Sequence, residues 1–317
     1  MRRRTGLNIL VLVNTSERNL APAVARKTWK QRAGRLLRSL LFIYLGVMLG
    51  VSLLQEWFIF PGKSSQGQTF AIIAKAPDRE LVKLTTSSGD TIYVLVGMAM
   101  DRNGTPRSDA STRPTIVLFY GNGMSLSDVI GLCRDWRKRG ANVVGIEYPG
   151  YGMSSGSPGE QPFYSAANAT WDYLHSRGDI DMSKIIPTGI SIGGGVATEL
   201  AHTHPAAGLI LLAPFTSLDD MARVTLPWIP GSLILKHHFD NAAKIGDLKI
   251  PILIFHGNHD SLIPTRMSEQ LKQKAIHATS IKRFVVDTDH NDLLELAQDQ
   301  IDQEIENMVN RISASKP

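Results

Sequence analysis

The stretch KIIPTGISIGGGVATELA, Lys184 to Ala201, decides the reading. Lys184 to Ile190 is a short apolar run that predicts a buried strand. From Ile192 to His204 the pattern turns helical. Between them stands Gly189-Ile190-Ser191-Ile192-Gly193, a Gly-x-Ser-x-Gly turn joining strand to helix. A serine on so sharp a turn is backbone-strained and presents its hydroxyl above the sheet. The flanking glycines leave room for neighbouring backbone. Gly193, Ala197 and Ala201 put small residues on one helical face, which allows close packing on the sheet. Ser191 is therefore the candidate nucleophile. Pro187 lies inside the predicted strand, removes a ladder hydrogen bond and runs against a central position, which a local bulge could accommodate.

The same pattern recurs at Gly152-Met153-Ser154-Ser155-Gly156. Pro158 and Gly159 follow it, so no helix can begin at once. The setting selects Ser191 over Ser154.

Outward from Ser191, short apolar runs alternate with longer amphipathic stretches. Strands are predicted over 81–86 and 91–99 as a hairpin, then over 115–120, 142–148, 184–190, 208–213, 250–255 and 281–287. Helices are predicted over 127–139, 160–177, 192–204, 265–275 and 291–312. This alternation implies an α/β fold with a mostly parallel, eight-stranded sheet flanked by helices. One long interruption, 215–248, carries Pro227, Trp228, Pro230 and an apolar Ser-Leu-Ile-Leu, and is read as a small cap over a site.

In open α/β sheets, ligands bind beyond the carboxyl ends of the strands. Those ends carry Gly121-Asn122-Gly123, then Ser191, then His256-Gly257-Asn258-His259-Asp260, then Asp289-His290. Serine near pH 7 is a poor nucleophile without a base, and the base needs an orienting acid. His290 is the candidate base, since it alone of the nine histidines follows the last predicted strand. Asp260 is the candidate acid; Asp287 and Asp289 stand too close to the histidine in sequence to face its ring easily. His256, His259 and Asp260 could imitate a metal cluster, but no metal or organic cofactor is expected. For the oxyanion, the backbone N–H of Ile192 and that of Asn122 are the candidate donors.

Composition agrees with a large packed core: 317 residues, 43% hydrophobic and 20% charged. The single cysteine, Cys133, rules out an internal disulfide and reads as an inert packed thiol. The net charge of +5 is unevenly placed. Ten Lys/Arg against one acid lie at or before Arg38, leaving 24 basic and 28 acidic residues beyond it. An acidic body argues against a nucleic-acid partner. Residues 1–35 read as a basic cytoplasmic arm. Ser39 to Leu54 is charge-free, and with Leu36, Leu37 and the aromatic Trp57, Phe58 and Phe60 it gives a transmembrane signal anchor over 36–60. The basic flank places the N-terminus in the cytoplasm and the body, 69–317, outside it (the periplasm in a Gram-negative bacterium).

The segments LFYGNG, YPGYGMSSG, GISIGGGVATELA, LLAPFTSLDDMA, LKIPILIFHGNHDSLIP and DTDHNDL resemble the α/β-hydrolase superfamily. Together with the N-terminal span and FIFPG, they are similar to its single-pass membrane-anchored members and their serine-aminopeptidase-like relatives. The resemblance implies a serine hydrolase with Ser191, Asp260 and His290 as its triad. It departs at Tyr120, where the family usually has histidine supporting the oxyanion loop. The expected activity is cleavage of carboxylic esters or thioesters of small-molecule or lipid acyl substrates. Alternatives are a serine-aminopeptidase-like peptidase, an acyltransferase, or a catalytically silent binding protein on the same fold. Dehalogenase and epoxide hydrolase chemistry are disfavoured, because those relatives place an acid where Ser191 stands.

Overall fold

Every residue of Thr115–Phe119 and of Asn142–Ile146 is buried. Runs without polar alternation belong in a sheet covered on both faces. The computed structural model describes residues 28–314 and builds these runs into one sheet of eight strands. In chain order they are β1 (Glu80–Thr85), β2 (Thr91–Gly97), β3 (Thr115–Phe119), β4 (Asn142–Ile146), β5 (Ile185–Ile190), β6 (Leu209–Leu212), β7 (Pro251–Gly257) and β8 (Ser280–Val286). Their spatial order is β1-β2-β4-β3-β5-β6-β7-β8. β2 runs antiparallel to β1 and β4, and every pair from β4 to β8 is parallel. The eight strands fall where the sequence pattern puts them.

The helices are α1 (Trp29–Ile59), α2 (Ile130–Lys138), α3 (Glu160–His175), α4 (Gly193–Thr203), α5 (Leu218–Thr225), α6 (Gly231–Ile234), α7 (Asn241–Lys244), α8 (Arg266–Lys274), α9 (Leu293–Leu296) and α10 (Gln298–Ala314). The chain divides between Val47 and Met48, so the end of α1, from Met48 on, belongs to the larger unit. Most of the expected basic arm, residues 1–27, lies outside the described residues.

Two local expectations are corrected. Pro187 causes no bulge: its register with β3 runs unbroken through Val117↔Pro187. The β5–β6 ladder starts only at Thr188, so it needs no donor from the proline nitrogen. The last helix is not continuous either. It breaks at Ala297 between α9 and α10. Leu293 and Leu294 turn towards the site after His290, whereas Ile301, Ile305 and Met308 bury the stripe of α10 in the main core. One straight helix cannot present both sets.

Between β6 and β7 the chain forms α5, α6 and α7, within the segment read as a cap. Ser217 caps α5 by accepting from Asp220 N–H at 3.0 Å, and Asp240 caps α7 by accepting from Ala243 N–H at 2.9 Å. Asn241 Nδ2 donates to the Phe215 carbonyl at 2.9 Å and closes the base of the insertion.

Candidate active site

Ser191 follows β5 directly, with φ at 53°. That left-handed conformation strains a non-glycine residue by about 1–3 kcal/mol, so its surroundings must impose it. Ser191 N–H donates to the Leu212 carbonyl of β6 at 2.8 Å, and its own carbonyl accepts from Gly194 N–H at 2.9 Å to open α4. A Cβ on Gly189 would meet the Gly193 carbonyl oxygen, and one on Gly193 would meet the Phe119 carbonyl oxygen. The turn is therefore closed by backbone against backbone.

His290 Nε2 lies 3.2 Å from Ser191 Oγ, across 99 positions of sequence. Its Nδ1 lies 2.7 Å from Asp260 Oδ2. The other Asp260 oxygen accepts from Leu262 N–H at 3.0 Å and Ile263 N–H at 2.7 Å. Burial alone would raise this carboxyl, but hydrogen bonds from His256 and His290, with the Ile263 N–H, outweigh it and hold Asp260 well below the usual carboxylate range. An ionised carboxylate only accepts, so the imidazole proton sits on Nδ1 and Nε2 offers a lone pair to the serine. Asp289 accepts from the N–H groups of His290 and Ser261 at 2.6 and 2.7 Å, which ties the two loops together. Asp287 instead pairs with His259 at 3.0 Å on the surface.

His256 has no role assigned from the sequence, where with His259 and Asp260 it only imitates a metal cluster. The structure separates that cluster: His256 is buried, with Nε2 3.2 Å from Asp260 and 2.9 Å from the Ile263 carbonyl, while His259 points away to Asp287. His256 thus holds the acid's loop. Its position at a strand end was the available signal.

Asn122 and Ile192 both line the cavity beside Ser191. Neither backbone N–H donates to a protein group among the described residues. The Asn122 side chain donates to the Ile59 carbonyl at 3.0 Å, which ties the loop to the end of α1.

Behind that loop, Tyr120 does what the substitution left open. Its hydroxyl donates to Glu147 Oε1 at 2.5 Å and accepts from Tyr148 N–H at 3.2 Å; Glu147 Oε1 also accepts from Leu126 N–H at 3.0 Å. The loop is thereby fixed at both ends. Burial pushes the Glu147 carboxyl up, against the hydrogen bonds from Tyr120 and Leu126. Glu147 went unnoticed in the sequence, although a lone acid inside VVGIEYP was a visible signal. Ser154 is buried, donating to the Glu147 carbonyl at 2.9 Å and accepting from Tyr93 N–H. The second Gly-x-Ser-x-Gly copy is structural.

The cavity over Ser191 measures about 650 Å³, within the range of small-molecule sites. Its walls are mainly apolar: Met124 and Leu262 from loops, Leu218, Met221 and Leu235 from the cap, and Phe58 and Ile59 from the end of α1.

Sheet topology, strained serine turn and cap define the α/β-hydrolase fold. The chain has the α/β-hydrolase fold and is similar to members of the α/β-hydrolase superfamily. Residues 110–239 match a family model described as serine aminopeptidase, S33. An uncharacterised protein of Mycobacterium tuberculosis is 32% identical over 189 residues, covering 59% of this chain and 66% of the relative. The α/β-hydrolase domain-containing protein WAV2 of Arabidopsis thaliana is 33% identical over 178 residues, 51% of this chain and 58% of that protein. The chain thus spans under two thirds of these curated relatives. Among solved structures, an esterase of Pyrococcus furiosus superposes with a TM-score of 0.60 at 14% identity, covering 76% of this chain and 94% of that one. An α/β-hydrolase from Vibrio vulnificus gives 0.59 at 20% identity, with 78% and 91% covered.

Proposed function

We propose that the chain is a membrane-anchored serine hydrolase that cleaves carboxylic ester or thioester bonds through an acyl-enzyme. The observation that carries this reading is the continuous relay Ser191–His290–Asp260, at 3.2 and 2.7 Å, opening into an apolar cavity. Ser191 Oγ attacks the acyl carbon while His290 Nε2 takes its proton. The N–H groups of Asn122 and Ile192 stabilise the oxyanion as negative charge develops. His290 then protonates the departing alcohol or thiol, leaving the acyl group on Ser191. Water, deprotonated by His290, releases the acid and restores the enzyme. No carboxylate is found among the described lining residues to receive a peptide's terminal amine, which favours the ester reading over an aminopeptidase.

Helix α1 supports the membrane assignment. It runs for 31 residues with a mean hydropathy of 2.0 in its most apolar window, more than the ~20 residues that cross a bilayer. Its basic N-terminal flank favours a cytoplasmic N-terminus and a catalytic domain, 69–317, on the far side. A fluorophosphonate probe tests the enzyme reading. Labelling of the wild type and not of Ser191→Ala is expected; labelling of both, or of neither, refutes it.

A further inference from the structure

Phe58 and Ile59 form part of the cavity wall, as do the cap residues Met221 and Leu235. The end of α1 is built into the site on two sides. Towards the oxyanion loop, the Ile59 carbonyl accepts from Asn122 Nδ2 at 3.0 Å, and Gly62 N–H donates to the Asn122 carbonyl at 2.9 Å. Towards the cap, Gln55 is only 3% exposed; it donates to the Ile234 carbonyl at 3.0 Å and accepts from Lys236 N–H at 2.8 Å. The Lys236 ammonium then pairs with Glu56 at 3.1 Å. A buried amide that satisfies two backbone groups fixes α6 level with the last turns of α1.

Beside this ion pair the surface also exposes several large apolar side chains. Leu53, Trp57 and Phe58 of the helix are 67%, 74% and 65% exposed, and Leu233 of α6 is 83% exposed. Exposed apolar groups gathered in this way mark a contact surface. Because α1 carries the apolar run into a bilayer, the surface that continues from its last turns meets the same bilayer. Phe58 both faces outward and lines the cavity, so the rim of the cavity lies on this apolar surface.

We propose that the cavity is loaded from the bilayer, and that the substrate is a long-chain acyl ester of a membrane lipid. Its chain passes over Phe58, beside Leu235, and brings its carbonyl to Ser191 without crossing water. The inference rests on the serine-hydrolase reading above and names the substrate class of that site. A chain already in the bilayer gains little more on entering an apolar cavity, so the advantage of each further methylene lies in partitioning, which raises the supply of ester at the rim about fourfold over water.

The test uses the full chain in vesicles of ether-linked phosphatidylcholine, which offers no ester bond of its own. Methylumbelliferyl laurate dissolved in the vesicle and water-soluble methylumbelliferyl butyrate are compared, with fluorophosphonate labelling of Ser191 in parallel. The laurate ester is expected to exceed the butyrate ester in kcat/KM. Leu233→Asp is expected to lower the laurate-to-butyrate ratio about tenfold or more, and Leu233→Ser by less, with labelling retained in both. Labelled enzyme with no laurate preference, or a ratio that neither substitution moves, overturns the bilayer route alone. Faster turnover of a laurate thioester on a peptide than of the lipid-like ester replaces the substrate class and overturns it too. Absence of labelling in the wild type overturns the hydrolase reading and this inference with it.

Discussion

Gly193→Ala is the sharpest perturbation the structure offers. The added Cβ would stand 2.1 Å from the Phe119 carbonyl oxygen, 2.6 Å from the Phe119 carbonyl carbon and 2.8 Å from the Tyr120 carbonyl oxygen. Real Cβ atoms do not come within 3.0 Å, so the closest contact must open by about 0.9 Å. All three neighbours are backbone, and no side chain can rotate aside. Either α4 lifts from β3 or the end of β3 retreats. Overpacking of this kind costs about 1–3 kcal/mol of stability. The functional cost is larger, because the residues after Phe119 and Tyr120 are Gly121 and Asn122. Moving them by nearly an ångström widens the gap between the Asn122 and Ile192 N–H groups. Misplacement on that scale costs about 100-fold in turnover. The assays are urea unfolding and the rates of butyrate-ester hydrolysis and fluorophosphonate labelling. We expect a lowered urea midpoint, kcat down about 100-fold and KM little changed. A variant with turnover within about twofold of wild type would refute both the elbow geometry and the oxyanion assignment.

Asp260→Asn should retain the fold and lower kcat by about 10⁴, as loss of the orienting carboxylate does in a serine protease, read in a steady-state ester assay. Because the folded-state pKa of Asp260 is depressed, its contribution to stability is present above an unfolded value of about 3.9 and is lost as pH falls through the folded value. The stability gap between wild type and Asp260→Asn, measured by urea unfolding, should therefore shrink below about pH 4. Glu147 has the opposite sign: its pKa is raised, so its contribution is full below about 4.3 and declines as pH rises through the folded value. Urea midpoints of Glu147→Gln should accordingly lose less than wild type on raising the pH, while Glu147→Ala, which strands the Tyr120 hydroxyl, should cost about 1–3 kcal/mol. Burial pushes the Cys133 thiol up to about 12, so iodoacetamide at mildly alkaline pH should alkylate it only after unfolding, as followed by intact mass.

Periodicity and the residues at strand ends were enough for the sheet, the serine turn and the order of Ser191, Asp260 and His290. These are local signals: a buried strand is an apolar run, and a strand-turn-helix with glycines on either side of a serine has few other uses. The same signals misjudged Pro187 and α10. Whether a proline costs a hydrogen bond depends on where the neighbouring ladder begins, and whether a helix stays straight depends on what each of its turns must face.

The tertiary structure alone decided the surroundings of those residues. His256 against Asp260, Glu147 beneath Tyr120, and Gln55 reaching Ile234 across 179 positions of sequence leave little local pattern, because a polar side chain reads the same whether it meets water or a distant backbone. The sequence determined an α/β fold with a candidate nucleophile at 191. Only the packed chain decided that the end of an apolar helix walls its cavity, since hydrophobic burial is non-directional and the partner of an exposed-looking Phe58 is chosen by geometry.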